Sequence, residues 1–197
     1  MLVLAGAAMA SGARSGASDT CGAPDECFAQ FVARQRDVRS VKARFHQVKR
    51  VALLREPLES SGSFEFARGK GVRWEVEEPE RMVVEIEGEQ LRAGPPGELR
   101  RVEPGSAADV LAQMGGLFTG TAKPGQFAIS SGRAPKSIRL EPRDPSLARI
   151  VSAVELEIDF ESGVPRAVEI EETSGDRTRI EMTDAHIERS SPAGPPG

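Results

Sequence analysis

The most constraining feature of this sequence is an alternation of apolar and charged residues with a period of two, which begins near Phe45 and continues to Met182. Phe64 and Phe66 flank Glu65, Val72, Trp74 and Val76 enclose Arg73 and Glu75, and Met82, Val84 and Ile86 alternate with Val83 and Glu85. The rhythm returns at Ile138 and Leu140, then at Val154, Leu156, Ile158 and Phe160, then at Val168 and Ile170, and last at Ile180 and Met182. Successive strand side chains point to opposite faces, so each run predicts a strand with one apolar and one wet face. Turn signals separate the runs: Gly69 to Gly71, Glu78-Pro79, Glu87-Gly88, Gly94 to Gly97, Ser162-Gly163 and Ser174 to Asp176. Short strands joined by short turns predict an antiparallel sheet. Its apolar face must be covered or must close on itself. The alternation leaves open whether that face is a packed core or the wall of a cavity.

Two helices are expected beside the sheet. Asp25 is a candidate cap for the first, with Phe28, Phe31, Val32, Val38 and Val41 on one stripe and Arg34, Arg36 and Arg39 toward water. The second begins at Ser106 to Asp109, after which Val110, Leu111, Met114, Leu117 and Phe118 fall on one face. Gly115 and Gly116 weaken it by about 1 kcal/mol each relative to Ala, so it is expected to be easier to displace than the strands. This stretch is the candidate cover for the apolar face.

Residues 1–20 read as a clipped signal peptide and flexible N-terminus, with an apolar run and Ala8-Met9-Ala10 as a small-x-small cleavage pattern. One domain is expected over 21–189, and the Pro/Gly tail of 190–197 has no means of burying surface. The expected location is the periplasm, as an exported, soluble protein. The net charge of −4, from 26 basic and 30 acidic residues spread along the chain, provides no basic stripe for a phosphate backbone, so nucleic acid is not an expected partner.

No nucleophile elbow, zinc-binding His-Glu-x-x-His or dinucleotide fingerprint is present, and no catalytic residue, metal site or cofactor is expected. Carboxylate neighbours such as Glu77 and Glu78 lie in alternating charged runs, where a solvated strand face is the simpler reading than an acid/base pair. His46 and His186 read as surface residues.

The chain resembles a known family, the periplasmic outer-membrane lipoprotein carriers of the LolA type and their LolB receptor relatives. The resemblance runs from about Phe28 to Ile187. It is carried by Val-Lys-Ala-Arg-Phe-His-Gln at 41–47, Gly-Ser-Phe-Glu-Phe-Ala-Arg at 62–68, Val-Arg-Trp at 72–74 and Pro79. Leu-Glu-Pro at 140–142, Val-Glu-Leu-Glu-Ile at 154–158 and Gly-Asp-Arg-Thr-Arg at 175–179 carry it in the second half.

The resemblance implies a mainly β, α+β fold: an unclosed antiparallel β-barrel, or half-barrel, covered by a few helices around an apolar cavity. It implies that acyl chains of lipoproteins enter that cavity, lined by Phe45, Phe64, Phe66, Val72, Trp74 and Val84 and by Leu111, Met114, Leu117 and Phe118 of the cover. By position, Arg68 corresponds to an arginine that latches the lid helices; the family usually has proline next, where this chain has Gly69. The implied partners are acylated lipoproteins, an inner-membrane lipoprotein-releasing transporter and an outer-membrane receptor, with the carrier itself a monomer. The competing reading is a lipid- or glycolipid-sensing module of the cell envelope.

The sequence has two cysteines, Cys21 and Cys27, separated by a stretch containing Gly22 and Pro24 that can turn back on itself. In an oxidising compartment such a pair is expected to form a local disulfide, and neither has the Cys-x-x-Cys redox spacing. Thiol labelling of the unreduced exported protein is therefore expected to find no reactive thiol, whereas two per chain would exclude the bridge.

Overall fold

The computed structural model describes residues 22–88, 90–102, 122, 124–159 and 161–190. Helix α1 (Pro24–Gln35) leads into eleven strands: β1 (Val38–Arg50), β2 (Leu58–Ala67), β3 (Gly71–Glu78), β4 (Met82–Glu87), β5 (Gln90–Gly94), β6 (Arg100–Arg101), β7 (Phe127–Ser131), β8 (Ser137–Pro142), β9 (Val151–Ile158), β10 (Pro165–Glu172) and β11 (Arg177–Arg189). A short helix α2 (Pro145–Ala148) precedes β9, capped by the Asp144 carboxylate, which accepts from the amides of Ser146 and Leu147. All eleven strands form one antiparallel sheet in the order β6-β5-β4-β3-β2-β1-β11-β10-β9-β8-β7. Its two edges do not pair, so the fold is the expected unclosed half-barrel. The expected helix at Ser106 to Phe118 lies outside the described residues.

Three expectations are corrected at the N-terminal end. The cap position of α1 is Ala23, with no side-chain cap bond; Asp25 lies inside the first turn, where its charge favours the helix N-terminus. The helix also stops at Gln35, and Val38 and Val41 belong to β1. Their three-residue spacing imitates a helical stripe because the ladder to β11 shifts register between Val38 and Ser40, and both valines thereby turn inward, at 0% and 3% exposure. The strand run accordingly begins at Val38 rather than at Phe45.

Register assigns every side chain to a face. Phe45 opposes Met182 on one side and Gly62 on the other; Phe64 opposes Trp74, which opposes Val84; Phe66 opposes Val72, which opposes Ile86. In the second half Ile180, Val168, Leu156 and Ile138 form a row across four strands. These rows are the concave, apolar face. At its β7 and β8 end α1 packs on it, with Phe28 and Phe31 fully buried and the Phe28 ring 6.2 Å from that of Phe127. Val83, expected on the wet face, is on the convex side, yet it is fully buried opposite Glu75 and Gly94.

The convex face is a mesh of opposite charges. Lys42 reaches Glu65, Arg73 bridges Glu75 and Glu85, and Arg92 also reaches Glu85. Arg44 makes a bidentate pair with Glu77, at 2.6 and 2.9 Å, across the small side chains of β2. Arg133 contacts Glu155, Glu169 and Glu171. Exposed pairs of this kind each contribute at most about 1 kcal/mol. Their larger effect is on register, because a slip of one residue in any of these strands would place that strand's charges on the apolar face.

Glu155 is the exception to that low value. It is 6% exposed, and its Oε1 accepts from the Ser137 hydroxyl at 2.8 Å and from the amides of Arg133 and Ala134 at 2.7 and 3.1 Å, so the carboxylate organises the β7–β8 turn. A Cβ on Gly132 would lie 2.0 Å from Ser137 Oγ and 2.8 Å from Glu155 Oε1, so no larger side chain fits beside this cluster. Burial alone would raise the Glu155 pKa, but the hydrogen bonds from Ser137, Ala134 and Arg133 outweigh it and hold the group below its ordinary value. The resulting stability is present above the ordinary glutamate range and is lost as pH falls through the depressed folded value. Glu155→Gln is expected to lower stability at pH 7 by about 1–3 kcal/mol. Urea midpoints measured from neutral pH downward should fall more steeply for the wild type, and parallel curves would exclude this role.

Candidate functional site

The residues expected to line a cavity divide into three groups. Phe45, Phe64 and Phe66 share the concave face and are 3%, 1% and 2% exposed. Val72, Trp74 and Val84 lie on the same face, one and two strands further out, and are only half-buried. Leu111, Met114, Leu117 and Phe118 lie outside the described residues. The first two groups therefore meet on one surface, while the contribution of the third stands as a proposal.

The aromatic centre of that surface depends on a glycine. Gly62 faces Phe45 across the β1–β2 ladder, and a Cβ there would lie 1.9 Å from the Glu75 carbonyl oxygen and 3.0 Å from the Phe45 ring. The missing side chain lets β3 approach at the register shift beside Ser61 and Gly62. The Phe45 ring then reaches Trp74, with centroids 4.1 Å apart and planes tilted by 32°, and Phe64 meets Trp74 edge-on at 5.7 Å. Going outward from β2, the face stays apolar but loses cover. Phe64 and Phe66 are sealed; Val72, Trp74, Val76, Val84 and Ile86 are half-buried; Met82 is 40% exposed. Val76 and Ile86 were placed on the apolar face by the alternation but not among the expected lining residues, whose strand parity they share. Two open depressions adjoin this surface: one of about 360 Å³, lined by Val72 and Ile86 together with charged residues such as Arg73 and Glu85, and one of about 430 Å³, lined by His46, Glu59 and Glu78 among others.

Arg68 acts at the opposite end of the sheet. Its Nε donates to the Val38 carbonyl at 2.9 Å and its Nη2 to the Gln35 carbonyl at 2.7 Å, so its charge meets the C-terminal end of α1. Gly69 follows with φ +81°, a left-handed conformation that proline cannot adopt. Arg189, from the far end of the chain, donates to the Arg34 carbonyl at 3.1 Å and to the Ser162 carbonyl. The buried Gln35 amide donates to the Gly163 carbonyl. Thus α1 is tied by its last turn to β2, to β11 and to the β9–β10 turn. Gln35 and Arg189 carried no signal in the sequence, because a capping contact from a distant strand has no local pattern. Cys27, also buried on α1, is disulfide-bonded, and Cys21 lies outside the described residues.

Among the described residues, no group of three or more His, Cys, Asp or Glu could hold a metal ion, and no helix is long and apolar enough to cross a membrane. A family model described as outer membrane lipoprotein carrier protein LolA matches residues 36–193. The chain belongs to the LolA family. Solved structures similar to it include a LolA superfamily protein from Nitrosomonas europaea, at 11% identity and TM-score 0.46, covering 87% of this chain and 96% of that one. The complex of MucA and MucB from Pseudomonas aeruginosa matches at 16% identity and TM-score 0.41, covering 86% of this chain and 58% of that one. LprF from Mycobacterium bovis matches at 13% identity and TM-score 0.38, covering 88% and 100%. A comparison with curated proteins gives no match.

The described role of Arg68 is to hold the end of α1. Arg68→Ala is expected to reduce stability by about 1 kcal/mol or more through two lost charge-assisted hydrogen bonds. Amide exchange in the last turn of α1 should rise further than that global change accounts for. A uniform change in exchange along the chain would contradict a local clamp.

Proposed function

We propose that this protein is a periplasmic carrier that binds the acyl chains of lipoproteins on its concave face and moves them from the inner to the outer membrane. The observation that carries the reading is the half-buried apolar stretch of Val72, Trp74, Val76, Val84 and Ile86, continuous with the sealed aromatics of β1 and β2. A contiguous apolar stretch left partly open on a concave face is what a ligand wall requires. Membership of the LolA family supports the same reading, and so does the exclusion of charge from this face by register.

The physical task is binding that can be reversed. Each buried methylene contributes about 0.8 kcal/mol, so one long acyl chain represents roughly 10 kcal/mol before opposing terms. The segment from Ser106 to Phe118 is the proposed competitor: with Leu111, Met114, Leu117 and Phe118 on the concave face in the empty state, it lowers net affinity to a transferable level. Arg68 is proposed to hold the helical side of the opening closed in that state. The carrier takes its cargo as a monomer from an inner-membrane lipoprotein-releasing transporter and delivers it to an outer-membrane receptor. No covalent step is needed, and the protein acts by binding alone.

Trp74 is the sole tryptophan and sits within the proposed wall, so it reports directly. Titration with a synthetic triacylated lipopeptide is expected to shift its emission saturably, and replacement of Leu111 and Phe118 by polar residues should raise affinity with little loss of fold. An unaltered spectrum, or a loss of global stability by several kcal/mol with affinity unchanged, would mean that the face is core and the segment part of it. Mass spectrometry of the native complex separates the carrier from the sensor reading, since a free glycolipid in place of a lipoprotein favours the latter.

A further inference from the structure

The four large hydrophobic side chains most exposed among the described residues all lie at one end of the half-barrel: Leu53 at 94%, Leu54 at 50%, Leu58 at 53% and Met82 at 40%. The first three belong to the β1–β2 hairpin, and Met82 begins β4 on the same rim, since β1 and β3 both run toward it. The hairpin overhangs its neighbour. Leu58 pairs with Lys49 and Glu59 with Val48, whereas β3 ends at Glu78 opposite Ser61. The tip is nevertheless held in place, because the Ala52 amide donates to Asp176 Oδ1 at 3.0 Å, the Leu54 amide donates to the Val51 carbonyl at 3.0 Å, and Lys49 bonds Glu172 at 2.8 Å. Leucines on a fixed projection have no folding reason to be there.

We propose that this rim is a bilayer-contact site, at which Leu53 and Leu54 insert among the lipids of a phospholipid surface. Four side chains on a narrow rim fall well short of the roughly 800 Å² per partner that a stable protein interface buries. They do match the shallow apolar insertion of a peripheral membrane protein. Arg50 and Arg55 bracket the two leucines, are exposed, and make no ion pair among the described residues, so both can reach lipid phosphates while their stems lie along the apolar tip. Glu56 and Glu80 lie on the same rim, so apolar contact, rather than net charge, supplies most of the binding. The track also continues inward. Leu58 has the strand parity of Gly62 and Phe64, with Ser60 between them, and Met82 opposes Val76, so it is through Met82 that the rim adjoins the apolar concave face directly. The purpose of the site rests on the carrier reading, because an acyl chain passing between bilayer and wall would then stay out of water; the contact itself does not.

Flotation of the full exported protein with vesicles of phosphatidylethanolamine and phosphatidylglycerol tests it. The wild type should float with the vesicles, with weak salt dependence, and each leucine replaced, Leu53→Asp or Leu54→Asp, should cost about tenfold in partitioning. The double variant should retain its unfolding midpoint and its Trp74 response to a soluble lipopeptide. Equal flotation of wild type and double variant, or no flotation of the wild type, overturns the proposal. So does concentration-dependent self-association that the double variant abolishes, because a second copy would then cover the rim. Leucine-dependent flotation by a wild type that takes up no lipopeptide would uphold the rim and reject the carrier reading.

Discussion

The pairing of β1 with β11 is the interaction on which the rest of this fold depends. These are the two longest strands, they occupy the middle of the sheet, and they join its two meanders along a ladder from Val38 and Arg189 to Arg50 and Arg177. One meander carries the aromatic wall and the other packs beneath α1. Without the central ladder neither has a reason to curve toward the other, because the outer edges, β6 and β7, do not meet. The tethering of α1 repeats the same long-range closure, since Arg189 comes from the strand that completes the ladder.

The faces of the sheet were legible because charge and apolarity alternate so regularly. Trp74 could be placed beside Val72 and Val76 by parity alone, and its partners across the ladders follow from that. Legibility failed where the backbone departs from strict alternation. At Val38 a bulge imitates a helical stripe, and at Val83 an apolar residue is buried on the face assigned to water. The caps of α1 failed differently: Arg68 was recognised through resemblance to a family, while Arg189 and Gln35 act through carbonyl oxygens that every residue possesses. Composition anticipated the convex mesh only in aggregate, as a near balance of Arg and Glu.

Within the site the same division holds. Phe45, Phe64 and Phe66 were identified with Val72, Trp74 and Val84 as one set, yet the fold separates them into sealed and half-buried members. That gradient arises from distance to the central ladder, which a linear sequence does not express. Gly62 illustrates the point: it is an unremarkable residue in a Ser-rich stretch, and it sets how closely β3 approaches and so where the Phe45 and Trp74 rings meet.

The location of the central ladder also determines when this chain can fold. Ser40 bonds to Glu188, 148 residues later, and the strand that β1 requires is the last of the described strands in chain order. For a chain that emerges N-terminus first, from a ribosome or through a narrow pore, the first meander is complete long before its central neighbour arrives. Non-local closure of this kind is slow and is deferred until β11 is available. The topology therefore makes closure of the sheet wait for β11, so that a chain delivered N-terminus first would stay loose until that strand arrives.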